Sequence, residues 1–171
     1  DSVTYGALEK TGRLGNQLFQ IAVTVAYSLD TDKEFVLPVD WRYNKYMGRP
    51  LPFVKIEIDA VYNEPYFHYS YIPPLAGNID LRGFFQSDKY FAHRAYNIRQ
   101  YFRLNDKYYY YIWDKYGKRL SQNSCSIHVR RGDYLLPANM DYHGVLPLSY
   151  YKECVRTLYG QENPEDVLFV V

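Results

Sequence analysis

The sequence predicts an α/β protein with a parallel sheet, and three observations carry that prediction. The chain opens with a β-prone segment, a glycine-containing loop and a run of apolar residues at helical spacing. A second β-prone segment follows at once. A similar strand-helix-strand pattern returns near the end of the 171 residues. Strands that alternate with helices of this length read as βαβ units.

Each element has its own warrant. Val3 to Leu8 is short and β-prone. Glu9 to Gly15 holds two glycines and charged residues, and reads as a loop. Leu18, Phe19, Ile21, Ala22, Val25, Ala26 and Leu29 then recur at the spacing of one helix face. Glu34 to Val39 reads as the second strand, with Pro38 near its end. Residues 40 to 78 are rich in Pro, Tyr and Asn and read as loops, apart from a short strand at Lys55 to Ile58. Ile79 to Phe84 is a strand buried on at least one side. Ser87 is a fitting N-cap for a helix carrying Tyr90, Phe91, Ala95, Ile98 and Phe102. Asn105 caps a further helix, from about Lys107 to Tyr116, with Gly117 as its stop. Ser121 to Ser124 is a polar linker. Cys125 to Val129 is a strand, Ser149 to Tyr159 a helix closed by Gly160, and Val167 to Val171 an apolar strand. The expected division is residues 1–120 and 121–171, the second being the beginning of a domain only partly present.

Composition narrows the function. Twenty Lys and Arg against 19 Asp and Glu leave a net charge of +1, which argues against a nucleic-acid partner. No apolar run approaches the roughly 20 residues of a membrane span, and no signal peptide opens the chain. The first residue is Asp1, not Met, so a preceding segment is expected to have been trimmed. No Asn-x-Ser/Thr sequon occurs. The compartment this points to is cytoplasmic, or the Golgi lumen if an N-terminal anchor was removed. Two cysteines, Cys125 and Cys154, make neither a disulfide scaffold nor a zinc site. The oligomeric state is not legible. Aromatic residues reach 19%, with 21 Tyr; such a surplus suits a bulky core and also suits stacking on sugars.

Two segments carry chemistry. Gly12-Arg13-Leu14-Gly15-Asn16-Gln17 lies between strand and helix. Glycines permit close ligand approach, and the helix start offers free N–H groups to an anion. It is neither the dinucleotide fingerprint nor a P-loop, and an ordinary βα turn with a polar cap explains it equally. Ile127-His128-Val129-Arg130-Arg131-Gly132-Asp133-Tyr134 leaves a strand, the place where open α/β sheets bind ligands. Arg is suited to bidentate phosphate contact. His128 shares a face with Arg130 if the strand continues, while one Arg pairs with structure, Asp133 being the candidate. A purely structural Arg–Asp pair is the alternative, and Arg-Gly-Asp as an adhesion motif is a remote one. Asp30-Thr31-Asp32 has the form of a metal-binding D-x-D, yet it follows a helix in a polar turn, where carboxylates cap. His68, His93 and His143 show no ligand spacing, so no metal site is expected.

Three segments occur in order: Gly12 to Gln20, Gly83-Phe84-Phe85-Gln86-Ser87-Asp88-Lys89-Tyr90-Phe91, and His128 to Tyr134. Together they resemble the α-1,2-fucosyltransferases of glycosyltransferase family 11, and the last is similar to a motif of α-1,6- and protein O-fucosyltransferases. The resemblance implies a GT-B-like fold of two Rossmann-like domains, the second only partly present here. It implies transfer of fucose from GDP-fucose to a galactoside hydroxyl of a glycan acceptor, with inversion and without a metal or other cofactor. His128 and Arg130 match positions that contact the GDP moiety, with Arg131 beside them. Gly12, Gly15 and Asn16 match the turn that faces the donor. Arg130 is the candidate catalytic cation and Asp133 the candidate base, although Asp133 and Arg131 also fit structural roles. A fucosyltransferase of another acceptor class, or a non-catalytic glycan- or nucleotide-binding fragment, are the alternatives.

Overall fold

The computed structural model describes residues 1–120, 123–160 and 168–170. The chain divides into two compact units, Asp1–Tyr109 and Tyr110–Val171. The α/β prediction with a parallel sheet holds.

The first unit is built on four strands: β1 (Ser2–Thr4), β2 (Glu34–Phe35), β3 (Ala60–Asn63) and β4 (Ile79–Arg82), in the order β2-β1-β4-β3. All three pairings are parallel, with Val3 opposite both Phe35 and Ile79, and Ala60 opposite Ile79. Helix α1 (Leu14–Thr31) is the crossover between β1 and β2. Its residues Gln20 to Ser28 are buried without interruption, so the helix is enclosed on all sides and not merely laid on the sheet. The buried hydroxyls are satisfied within the helix: Thr24 Oγ1 donates to the Gln20 carbonyl at 2.7 Å and Ser28 Oγ to that of Val25 at 2.8 Å. Val3, Ile21, Leu37, Trp41, Ile79, Leu81 and Phe85 form the centre of the core.

Several predicted boundaries are corrected. The first strand stops at Thr4, because Tyr5 to Thr11 turns back on itself through the Leu8 N–H to Tyr5 carbonyl bond. The second covers only Glu34–Phe35; beyond it Leu37 bridges Phe53. No strand forms at Lys55 to Ile58; the third strand is Ala60–Asn63, where β4 supplies the pairing partner. Strand β4 ends at Arg82, because Gly83 and Phe85 take positive φ angles. The single helix expected from Tyr90 to Phe102 is two 3₁₀ turns, Asp88–Tyr90 and Ala92–Arg94, followed by α2 (Ala95–Phe102). Phe91, at φ −144° and ψ 0°, makes the break.

Helix α3 (Asp106–Leu120) begins as expected, with Asn105 Oδ1 accepting the Lys107 N–H at 2.9 Å. Gly117 does not stop it. A Cβ there would lie 2.7 Å from the Trp113 ring, so the glycine makes room for the indole one turn back.

In the second unit β5 (Ser124–Ser126) pairs in parallel with β6 (Leu168–Val170). Between them in the chain lie a 3₁₀ turn (Gly132–Leu135), α4 (Pro137–His143) and α5 (Leu148–Tyr159). Helix α4, seven residues with no side-chain cap, has no apolar periodicity to mark it in the sequence. Ser124 belongs to β5 and not to the linker; Ser121 and Gln122 of that linker, and Val167 and Val171 of the last predicted strand, lie outside the described residues. Among the described residues no apolar side chain of this unit is fully buried. An open cleft of about 380 Å³ is lined by Ile127, Val129, Leu148, Tyr151, Val155 and Phe169.

Candidate functional site

In the first unit the chain leaves β1 toward β2 on one side, while β4 and β3 lie on the other. The carboxyl ends of β1 and β4 therefore flank the point where strand order reverses, the usual ligand crevice of an open parallel sheet. The loops from these ends are stitched together. Tyr5 donates its hydroxyl proton to the Gly83 carbonyl at 2.6 Å, and Gly6 N–H donates to Asp80 Oδ1 at 2.6 Å. Asp80 is buried, and its Oδ2 holds Arg82 Nε at 2.8 Å. A Cβ at Gly6 would meet that carboxylate at 2.7 Å.

The predicted glycine turn divides by role. Gly12 takes φ +74°, and a Cβ there would sit 2.4 Å from Asn16 Cβ. Asn16 Oδ1 accepts the Arg13 N–H at 3.2 Å, closing the start of α1. Gln17, buried, donates to the Gly12 carbonyl and accepts the Trp41 indole N–H at 2.8 Å. Gly15 differs: nothing lies within 4 Å of the space its Cβ would take.

Beside this turn a carboxylate not singled out from sequence organises the β4 loop. Glu64 Oε2 accepts the N–H groups of Phe84 and Phe85 at 2.8 and 2.9 Å, and Oε1 accepts the Tyr90 hydroxyl at 3.1 Å. Burial, with the Glu64 charge, pushes the Tyr90 hydroxyl up to about 12. Phe85 is buried at φ +50°, so Phe84 turns outward to stack near Phe67 at 6.4 Å. Glu9, at φ +67°, accepts the Arg42 backbone N–H and Nε; the backbone bond foremost holds its carboxyl below the ordinary range.

In the second unit the period-two exposure of β5 continues beyond its end. Cys125, Ile127 and Val129 are half-buried, while Ser124, Ser126, His128 and Arg130 are exposed. His128 and Arg130 thus share a face. Arg130 Nη2 bonds both oxygens of Asp133, at 3.1 and 3.4 Å, and its guanidinium lies 4.2 Å from the Tyr134 ring centre. Tyr134 stacks on His143 at 4.5 Å, and Asn139 Nδ2 donates to the Asp133 carbonyl. Gly132, at φ +64°, makes the turn that brings Asp133 back to Arg130. Arg131 and His128 are exposed; among the described residues neither makes a side-chain hydrogen bond or ion pair.

Asp30 of the Asp30-Thr31-Asp32 triplet accepts His93 Nε2 at 2.7 Å and Arg94 Nε at 2.8 Å. Asp32 closes α1 in the left-handed region, its N–H on the Ser28 carbonyl. Among the described residues no three His, Cys, Asp or Glu side chains converge as a metal cage, and no helix is long and apolar enough to cross a membrane.

Over 47 residues the chain is 49% identical to the O-antigen biosynthesis glycosyltransferase WbnK of Escherichia coli, a match covering 27% of this chain and 16% of that protein. No family model matches the chain, and no solved structure does.

Proposed function

We propose that this chain belongs to an enzyme that moves fucose from GDP-fucose to a galactoside hydroxyl, forming an α-1,2 linkage with inversion and without a metal. The partial likeness to a glycosyltransferase supports glycosyl transfer in general; the three ordered motifs support fucose as the sugar. The observation that carries the chemistry is Arg130, exposed beyond a strand's carboxyl end, fixed by Asp133 and by the Tyr134 ring, and in register with His128.

The reaction breaks the bond from fucose C1 to the β-phosphate oxygen, whose electrons stay on GDP. A bond forms from the acceptor oxygen to C1 on the opposite face, and the acceptor's hydroxyl proton passes to solvent water. Negative charge grows on the leaving phosphate, so a preorganised cation lowers the barrier. Arg130 supplies it without reorganisation, because both Asp133 oxygens already hold the guanidinium. Within the second unit Asp133 aims Arg130, and the exposed His128 and Arg131 side chains are the further candidates for the nucleotide.

The test is GDP-fucose turnover on a panel of β-galactosides. Arg130→Ala should lower the rate by about 10²- to 10³-fold, with poor rescue by Arg130→Lys, since an ammonium lacks the planar fork. Near-parent turnover in a folded Arg130→Ala protein refutes the assignment. Transfer from another nucleotide sugar but not from GDP-fucose would leave glycosyl transfer standing and remove fucose.

A further inference from the structure

The Asp30 carboxylate and the Lys89–Tyr90 part of the second motif are not used by the chemistry above, yet they meet at one cavity. About 280 Å³ in volume, it lies between α1 and the 69–74 loop; Tyr27, Tyr69, Tyr71 and Tyr90 wall it, with Asp30, Thr31, Lys89 and His93 at its polar side. The loop that closes it is pinned by three hydrogen bonds. Tyr90 Oη accepts the Ser70 N–H at 3.1 Å, Tyr27 Oη donates to the Pro73 carbonyl at 3.1 Å, and Tyr27 Oη accepts the Leu75 N–H at 2.9 Å. Two buried tyrosines are thus committed to holding the loop, and the wall is preorganised. The rim is different. Tyr71 is 69% exposed and Tyr69 40%, and among the described residues neither hydroxyl, nor Lys89 Nζ, makes a hydrogen bond or ion pair. The two oxygens of Asp30 hold His93 and Arg94 in place.

We propose that this cavity is a saccharide subsite that takes one uncharged pyranose ring of the acceptor glycan, remote from the glycine turn. The assignment of a glycan as its ligand rests on the glycosyl-transfer reading. A pyranose presents a C–H face and a ring of hydroxyls together, and the cavity offers aromatic faces and a charged, hydrogen-bonding side together. Asp30, already bonded to Arg94 and His93, and the Lys89 ammonium put both signs of charge at the polar side, which suits a ring of hydroxyls better than a phosphate. An apolar peptide side chain would leave the Asp30, Lys89 and His93 side unmatched. The volume, about 280 Å³, lies just below the range of small-molecule sites, roughly 300–1,000 Å³, so it admits one ring and not an extended glycan. The site is also remote from the glycine turn. Asp30 follows Leu14 by 16 residues in one helix, about 24 Å at the α-helical rise. A single ring held here does not reach that turn.

Saturation-transfer NMR and calorimetry on the full chain, with the methyl glycosides of galactose, glucose and N-acetylglucosamine and with galactose-terminated oligosaccharides, test the proposal. At least one neutral glycoside should bind, and Tyr71→Ala should weaken it roughly five- to tenfold. Tyr96→Ala, equally exposed but outside the cavity, should bind as the parent does. In turnover assays Tyr71→Ala should raise KM for oligosaccharide acceptors and leave KM for a monosaccharide acceptor unchanged. Absence of binding by every neutral glycoside, binding indifferent to Tyr71→Ala, or binding confined to a uronic acid each overturns the subsite. Binding that depends on Tyr71 in an enzyme whose turnover is indifferent to Arg130→Ala keeps the subsite and overturns the catalytic reading instead.

Discussion

Removing the Glu64 carboxylate should loosen the first unit measurably. It accepts three hydrogen bonds, from the Phe84 and Phe85 N–H groups and from the Tyr90 hydroxyl, at 2.8, 2.9 and 3.1 Å. Bonds to a charged group contribute about 1.5–3 kcal/mol each. Glu64 is half-buried and Phe84 is exposed, so water replaces part of the loss, and about 2–4 kcal/mol is expected for Glu64→Ala. The strain at Phe85, φ +50°, is then no longer held against the core. Glu64→Gln keeps one acceptor oxygen and should lose roughly half as much. The chain has two tryptophans. Trp41 is 1% exposed in the core and Trp113 is 54% exposed, so a Trp113→Phe background makes Trp41 fluorescence a probe of the first unit alone. With urea slopes of about 1–3 kcal/mol per molar, the Glu64→Ala midpoint should fall by about 1 M or more. A midpoint within about 0.3 M of the parent would show that the carboxylate does not hold the loop.

The two turn glycines should separate by readout. Gly12→Ala, forced into φ +74° against Asn16, should cost about 1–3 kcal/mol in the same urea assay; an unchanged midpoint argues against the turn as described. Gly15→Ala meets nothing within 4 Å and should stabilise α1 by up to about 1 kcal/mol while weakening donor use; parent-like KM for GDP-fucose removes Gly15 from the donor turn. Burial pushes the Asp30 carboxyl up, but the hydrogen bonds and charges of Arg94 and His93 outweigh it and leave it below its ordinary value. A depressed folded value means stabilisation that is present above the unfolded pKa, about 3.9, and is lost as pH falls through the folded value. Asp30→Asn should therefore flatten the stability loss below about pH 4, and an identical acid limb in parent and variant would refute it. EDTA should leave the initial transfer rate unchanged; a lost rate restored by Mn²⁺ would reassign Asp30 and Asp32.

What was legible in the sequence is what local patterning controls. The apolar spacing from Leu18 to Leu29 marks α1, the Asn105 cap marks the start of α3, and the alternation after Cys125 puts His128 and Arg130 on one face. What was not legible depends on partners far along the chain. Ala60–Asn63 is a strand because β4 lies beside it. Gly117 is a local exception: it continues the helix because Trp113, one turn back, needs its space. Glu64 and Asp80 act on backbone N–H groups 20, 21 and 74 residues away. Asp80 left one local trace, a carboxylate among the apolar residues of the Ile79–Arg82 strand.

The Gly83–Phe91 segment divides between side chains that build the fold and side chains left at the surface. Gly83 takes φ +151°, with Glu64 Cβ only 2.4 Å from where its own would be. The Phe84 and Phe85 N–H groups are the Glu64 clamp, and the Phe85 ring is in the core. Ser87 caps the next turn through the Lys89 N–H, the Tyr90 hydroxyl joins Glu64 to Ser70, and Phe91 meets Phe19 edge-on at 5.6 Å. Folding alone therefore demands most of these residue types. The Phe84 ring, Gln86, Asp88 and the Lys89 ammonium are exposed and carry no such demand. A ligand role for the motif has to be sought in those four side chains. Lys89 is the one that lines the cavity assigned to a sugar, so replacing Lys89 with Met tests the motif's chemistry while leaving its architecture in place.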